Sequence, residues 1–209
     1  MVEYLWLLFS YLFASIPNGY LITKWIAKKD IREVGQEKLS GSNIIQNIGF
    51  LPGALSGAFD LFKGVVAIFG AQMLCLPGLF QALAGILAVC GQMWPVFFHF
   101  WGGRGGSVCI GVLLMFSPLI AGVFIVIWIG GRLISKDYGA PIGLVLGLVA
   151  AIILSFYFEK KEIIIFSSVS LFLILIQRVL GKPGSLKEIQ DKKVILWRLL
   201  LDRDTKKKV

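Results

Sequence analysis

The sequence predicts an all-α, polytopic integral membrane protein, and three observations carry that prediction. Of 209 residues, 57% are hydrophobic and only 16% are charged, whereas a soluble domain holds about 45–50% apolar and about 25% charged residues. The apolar residues fall into long blocks at 4–27, 51–76, 79–98, 107–131, 139–158 and 163–180. Each approaches the roughly 20 residues with which a helix crosses the hydrocarbon core. The net charge of +9 gathers in the segments between and after the blocks, which is the positive-inside pattern of membrane proteins. A cytosolic globule, a disordered chain and a nucleic-acid-binding module are thereby excluded.

The first block comes after Glu3, without a basic leader or a small-residue cleavage site, and reads as a retained span. It contains Ser15-Ile16-Pro17-Asn18-Gly19-Tyr20, in which proline and glycine bend or break the helix. The segment 24–38 carries Lys24, Lys28, Lys29, Arg32 and Lys38 and is expected in the cytoplasm; the uncharged 74–80 loop is expected outside. The segment 99–106 carries Arg104 and returns inside. The block 107–131 holds Ser117-Pro118, so it is either one kinked helix or two short helices meeting at a turn. From Arg178 onward the chain has ten Lys/Arg against four acids and is expected inside. Six spans would place that tail on the side opposite the basic 24–38 segment. Seven, with a reversal at Pro118, place Met1 outside and every basic segment inside except Lys160-Lys161. Seven is therefore preferred, with six as the alternative. The expected organisation is one membrane domain over 1–181 and a basic tail over 182–209. In that tail Leu186, Ile189, Leu196, Trp197 and Leu200 share one helical face, as in an interfacial amphipathic helix; a solvated tail is the other reading.

Polar residues at membrane depth are costly, so they are where chemistry is sought. Besides the 15–20 stretch, three clusters stand out. Asp30-Ile31-Arg32-Glu33-Val34-Gly35 with Leu39-Ser40-Gly41-Ser42-Asn43 can form an anion-binding backbone nest with an arginine to pair with phosphate, or a solvated turn. Asp60 and Lys63 share a helix face at i,i+3 and can pair, or Lys63 can snorkel to the interface. Gly91-Gln92 through Pro95 to Gly102-Gly103-Arg104-Gly105-Gly106-Ser107 surrounds an arginine with glycines before a helix start, an anion site or a flexible hairpin. Cys75, Cys90 and Cys109 are too dispersed for a disulfide framework or a zinc site. His99, the only histidine, reads as an interfacial residue, and no metal is expected.

Together these pieces resemble the bacterial acyl-phosphate:glycerol-3-phosphate acyltransferases, the seven-span PlsY family. The matching residues are Ser15-Ile16-Pro17-x-Gly19-Tyr20, Asp30-Ile31-Arg32-x-x-Gly35, Asn43, Asp60-x-x-Lys63-Gly64 and Pro95-x-Phe97-x-x-Phe100-x-Gly102-Gly103-Arg104-Gly105, in the family's order and spacing. The resemblance runs over about 4–181 and leaves the tail unmatched. It implies transfer of a fatty acyl group from acyl phosphate to the 1-hydroxyl of glycerol 3-phosphate, giving lysophosphatidate. It further implies a cytoplasm-facing pocket in the bacterial inner membrane, with no metal, cofactor or coenzyme A.

The resemblance also distributes roles. Arg32, Lys63 and Arg104 would bind phosphate, Ser42 and Asn43 would donate hydrogen bonds, and Asp60 would orient Lys63. Gly103 and Gly105 would let the backbone approach the substrate. Asn43, Arg104 and Gln92 are the catalytic candidates. The chain departs from the family pattern at four places. The family's Gly-Ser-Gly-Asn-x-Gly-Ala-Thr-Asn turn reads Gly35-Gln36-Glu37-Lys38-Leu39-Ser40-Gly41-Ser42-Asn43. Gln92 stands for a histidine, and Arg104 for a lysine. The late His-x-x-Asn-Ile-x-Arg is reduced to Ile176-x-Arg178, with Phe172 and Leu175 at the His and Asn positions. These departures frame the alternative, a homologue that binds lipid or phosphate with weak or no turnover.

Overall fold

The computed structural model describes residues 1–28, 30–31, 39–134, 139–180 and 198, and these are helical wherever they are regular. They divide into two compact units that meet in sequence between Ser117 and Pro118.

The first unit opens with α1 (Val2–Ala14). The Pro17 ring ends it. Pro17 takes φ −83° and ψ 69°, and the Asn18 N–H closes a tight turn onto the Ile16 carbonyl at 2.9 Å, the geometry of an inverse γ-turn. The chain resumes as α2 (Asn18–Ile22) and a single π-helical turn, Thr23–Ala27, before Lys28 turns left-handed at φ 51°. The break expected from Pro17 and Gly19 is present. α3 (Gly41–Asn47) starts at Ser40, whose extended backbone and Oγ, accepting the Asn43 N–H, make it an N-cap.

Three longer helices complete the unit: α4 (Phe50–Met73), α5 (Gly78–Met93) and α6 (Gly106–Phe116). α1 runs parallel to α5. Tyr4 meets Phe80 edge-on near their starts, and the Tyr11 hydroxyl donates to the Trp94 carbonyl at the other end. α4 runs the other way against α1. Trp6 lies over Gly70 and donates to the Ala67 carbonyl, while Phe13 meets Phe62. α6 is parallel to α4, at a distance glycine alone permits. A Cβ on Gly64 would strike the Val108 carbonyl, and one on Gly111 would strike that of Leu61. Such small-residue crossings replace the hydrophobic drive that lipid does not supply. These directions bring the end of α1, the start of α4, the end of α5 and the start of α6 to the same end of the unit.

α6 ends at Phe116, and Ser117 is extended (φ −159°, ψ 104°). The second unit begins there with α7 (Pro118–Ile134), followed by α8 (Gly139–Tyr157) and α9 (Lys161–Leu180). Pro118 opens α7, where its missing N–H costs nothing. Of the two readings of 107–131, two helices are therefore found; the second is longer than expected because Arg132–Ile134 continue it. Phe124 of α7 fills the space over Gly147 of α8, and the Trp128 indole donates to the Ala140 carbonyl at 3.2 Å. Arg178, buried in the last turn of α9, donates to the Pro141 carbonyl at 2.7 Å.

Among the described residues, five stretches are long and apolar enough to cross a membrane: Val2–Ala27, Phe50–Met73, Gly78–Phe98, Ala140–Tyr157 and Lys161–Leu180. α6 and α7 are shorter apolar helices. Large apolar side chains such as Leu5, Phe59, Phe69, Val126, Ile153 and Phe172 lie exposed on these helices, a surface matched to lipid rather than water. The chain is a multi-pass membrane protein. The expected tail helix over 182–209 lies outside the described residues apart from Arg198, whose guanidinium donates to the Val179 carbonyl at the end of α9.

Candidate functional site

Three polar side chains of the first unit close a ring inside it. Asp60 and Lys63 project from one face of α4, as their i,i+3 spacing dictates. Asp60 stands ten residues into the helix, about 15 Å from its start at 1.5 Å per residue. Lys63 Nζ donates to Asp60 Oδ1 at 3.1 Å, to Gln92 Oε1 at 2.8 Å and to the Ile16 carbonyl at 2.7 Å. Gln92 Nε2 donates to Asp60 Oδ2 at 2.8 Å. An ammonium has three protons and a carboxylate two oxygens; each of these has a partner here. Residues Asp60, Lys63 and Gln92 are 4%, 2% and 8% exposed. At that burial an unpaired charge would be ruinous, so neutrality and complete hydrogen bonding are what let this ion pair stand inside the helices.

The fourth partner explains the break in the first helix. Pro17 has no N–H, and the Ile16 carbonyl is turned out of the α-helical ladder, where it accepts from Asn18 and from Lys63. The carbonyl freed by the break is thus satisfied by a side chain of another helix.

From Gln92 the site continues into a compact turn. After Pro95 the chain makes a short 3₁₀ turn, Val96–Phe98, and then two left-handed residues, His99 and Phe100, at φ 52° and 56°. It then folds back along the end of α5. The Gly102 N–H donates to the Met93 carbonyl at 3.2 Å, and the Gly103 N–H to the Gln92 carbonyl at 2.9 Å. A Cβ at Gly103 would come within 2.7 Å of Gln92 Nε2, and one at Gly102 would strike the Gln92 carbonyl. Gly105 has φ +73° and immediately precedes α6. These three glycines are therefore required by close approach or by backbone conformation. Arg104 sits between them, half-buried.

On the Gly53–Gly57–Asp60 face of the same helix lies the α3 turn, and the Leu39 carbonyl leading into it would stand 3.4 Å from a Cβ at Gly103. Ser40 and Ser42 place their hydroxyls 3.4 Å apart, and Asn43 is buried, accepting from Asn47 Nδ2 on its side-chain oxygen at 2.9 Å. A Cβ at Gly41 would meet the Gly53 carbonyl at 3.0 Å, so α3 is pressed onto α4.

The structure thus brings together Asp60, Lys63, Gln92 and Gly103, with Arg104 and Gly105 following directly in the chain. Ser42 and Asn43 sit in the α3 turn. Arg32, the retained Gly35 and the substituted 36–38 part of the family's glycine turn lie outside the described residues. In the second unit Phe172 is exposed, and Arg178 is held by Pro141. Among the described residues no cluster of three His, Cys, Asp or Glu side chains is placed to hold a metal, and the cysteines are free, Cys75 exposed and Cys109 buried.

One contributor, the Ile16 carbonyl, is a backbone atom and had no signal in the residue pattern. A further glycine, Gly57 on α4, stands near the site. Gly53 and Gly64 on the same helix are forced by tight neighbours, but a Cβ at Gly57 would meet nothing closer than Ser107 Oγ at 3.9 Å. Packing does not explain this glycine, which lies one turn from Asp60 and opens toward the first turn of α6.

Fold and site together define a polytopic, all-helical membrane protein whose buried polar groups and glycine-rich turns are drawn to one end of a helix unit. Its residues 4–181 match the sequence model of the family described as glycerol-3-phosphate acyltransferase. The chain belongs to the glycerol-3-phosphate acyltransferase family. It is 32% identical over 203 residues to glycerol-3-phosphate acyltransferase 4 of Dehalococcoides mccartyi strain CBDB1, covering 93% of this chain and 86% of that one. It is 33% identical over 170 residues to the glycerol-3-phosphate acyltransferase of Thermoanaerobacter pseudethanolicus, covering 80% and 84%. Its fold is similar to the crystal structure of PlsY (YgiH), an integral membrane glycerol 3-phosphate acyltransferase, in the glycerol 3-phosphate form. The TM-score is 0.76 at 25% identity, over 91% of this chain and 100% of that one.

Proposed function

We propose that this acyltransferase takes its fatty acyl group from acyl phosphate and places it on glycerol 3-phosphate, releasing lysophosphatidate and inorganic phosphate at the cytoplasmic face of the bacterial inner membrane. Family membership supports the acyl transfer. The observation that carries the site is the turn Gly102-Gly103-Arg104-Gly105, packed onto Gln92 of the buried ring.

The chemistry asks little of a base. The acceptor hydroxyl oxygen attacks the acyl carbonyl carbon, the carbon–oxygen bond to phosphate breaks, and the hydroxyl proton leaves with the departing phosphate. Acyl phosphate is already an activated anhydride, so positioning and charge stabilisation supply most of the rate. Arg104 is assigned to the phosphate groups, with Arg32 as its expected partner. Ser42 and Asn43 are assigned as hydrogen-bond donors, and Gly103 and Gly105 keep the backbone bare. Lys63, expected from the sequence to bind phosphate, acts instead in this reading by holding the framework with Asp60, since its three protons already have protein acceptors. Neither metal nor coenzyme A enters the scheme. The test is acyl transfer by the purified protein with acyl phosphate as donor.

The topology in this reading has seven crossings, with Met1 outside and Val209 inside. Cys75 offers a native probe, since it is exposed in the turn between α4 and α5, which this topology puts outside. In spheroplasts a membrane-impermeant maleimide is expected to label it, and the Cys75→Ser variant to remain unlabelled. Labelling only after permeabilisation would reverse the orientation. A cysteine added near residue 205 should behave in the opposite way to Cys75.

A further inference from the structure

We infer that Gln92 is a positioning residue whose amide completes a charge-neutral ring with Asp60 and Lys63 and thereby sets the place of the Gly102–Gly105 turn and of Arg104. The inference rests on the proposed reaction only for its activity readout.

Gln92 uses both ends of its amide within the ring, Oε1 toward Lys63 and Nε2 toward Asp60. It has no titratable proton and is 8% exposed, so it is neither a base nor an open substrate ligand. Its backbone carbonyl and its Nε2 face Gly103. The ring therefore meets the turn where Gln92 faces Gly103, one residue before Arg104. The same ring grips the Ile16 carbonyl at the α1 break. A single neutral cluster thus ties α1, α4 and α5 to the arginine-bearing turn.

The ring has one isomorphous alternative. Aspartate and asparagine have the same shape, as do glutamine and glutamate. Moving the carboxylate from position 60 to position 92 keeps every bond. Lys63 would still meet three oxygens, and the amide at position 60 would donate to the carboxylate at position 92. Each single change breaks the accounting. Asp60→Asn leaves Lys63 without a counter-charge, and Gln92→Glu sets two carboxylates against one ammonium.

The experiment compares wild type, Asp60→Asn, Gln92→Glu and the double variant in detergent, by thermal midpoint and by kcat/KM for acyl transfer. Each single variant is expected to lose on the order of tenfold or more in kcat/KM and to melt several degrees lower. The double variant is expected to recover most of both. A double variant no better than the worse single, or two harmless singles, would overturn the ring. The link to Arg104 is read from Gln92→Leu and Arg104→Ala, alone and combined. The fold loss of the pair is expected to fall well short of the product of the single losses, with the Gln92→Leu loss appearing in KM for glycerol 3-phosphate on the folded fraction. Full multiplicativity, or a loss of folded protein with KM unchanged, would reduce Gln92 to a stabilising residue. A wild type without transfer would refute the proposed reaction instead, and recovery of the thermal midpoint in the double variant would still decide the ring.

Discussion

Replacing Arg104 by alanine is expected to lower kcat/KM for acyl transfer by about 10²-fold or more. A donor aimed at charge that develops or moves in the transition state is worth this much when water is partly excluded and the donor is already in place. Arg104 is half-buried between three glycines whose Cα atoms lie against α5 or adopt a left-handed φ, so its backbone has little freedom to reorganise. Arg104→Lys restores the family's residue and keeps the charge, but it gives up the planar, bidentate fork. It should therefore retain substantial activity, with a raised KM. Steady-state kinetics of the three proteins check this. An alanine variant as active as wild type would leave Arg104 only the part of a topology-determining charge.

Lys63→Met should have the largest effect on folding. Methionine matches the length of the lysine stem and is apolar. The substitution strips Asp60 of its counter-ion and leaves the Ile16 carbonyl and Gln92 Oε1 without their Lys63 donor. Breaking a buried pair from one side costs about 3–5 kcal/mol, because the remaining charge stays buried. That is a large part of the total stability of most domains. The expected outcome is loss of most monodisperse protein on size exclusion in mild detergent. Combining it with Asp60→Asn removes both charges and should bring part of the folded protein back. If Lys63→Met alone were as well folded as wild type, the ring would not be holding the helices together.

Features that depend on local periodicity are legible in the sequence. The apolar blocks match the helices within a few residues, because length and composition alone decide whether a segment suits a bilayer. The interruptions at Pro17 and at Ser117-Pro118 were legible because proline removes a donor and clashes one turn back. The pairing of Asp60 with Lys63 was legible because three residues return a helix to the same face. What required the structure is non-local. Gln92 and Ile16 lie far from Lys63 along the chain, and a backbone carbonyl leaves no mark in a residue pattern. The Gly64–Gly111 crossing looks like any pair of glycines until the helix directions are known. The third proton of Lys63 was likewise unforeseeable, and it moves this residue from substrate ligand to framework in the proposed function.

In the proposed function, this chain carries out acyl transfer from acyl phosphate with Gln92 and Arg104 in place of the family's histidine and lysine. The direct measurement is incubation of the purified, folded protein with long-chain acyl phosphate and radiolabelled glycerol 3-phosphate, with lysophosphatidate and inorganic phosphate both quantified. Labelled lysophosphatidate and phosphate are expected in equal amounts, with no product when acyl-coenzyme A replaces acyl phosphate. A folded protein that forms no labelled product, or one that uses only the coenzyme A donor, would contradict this function.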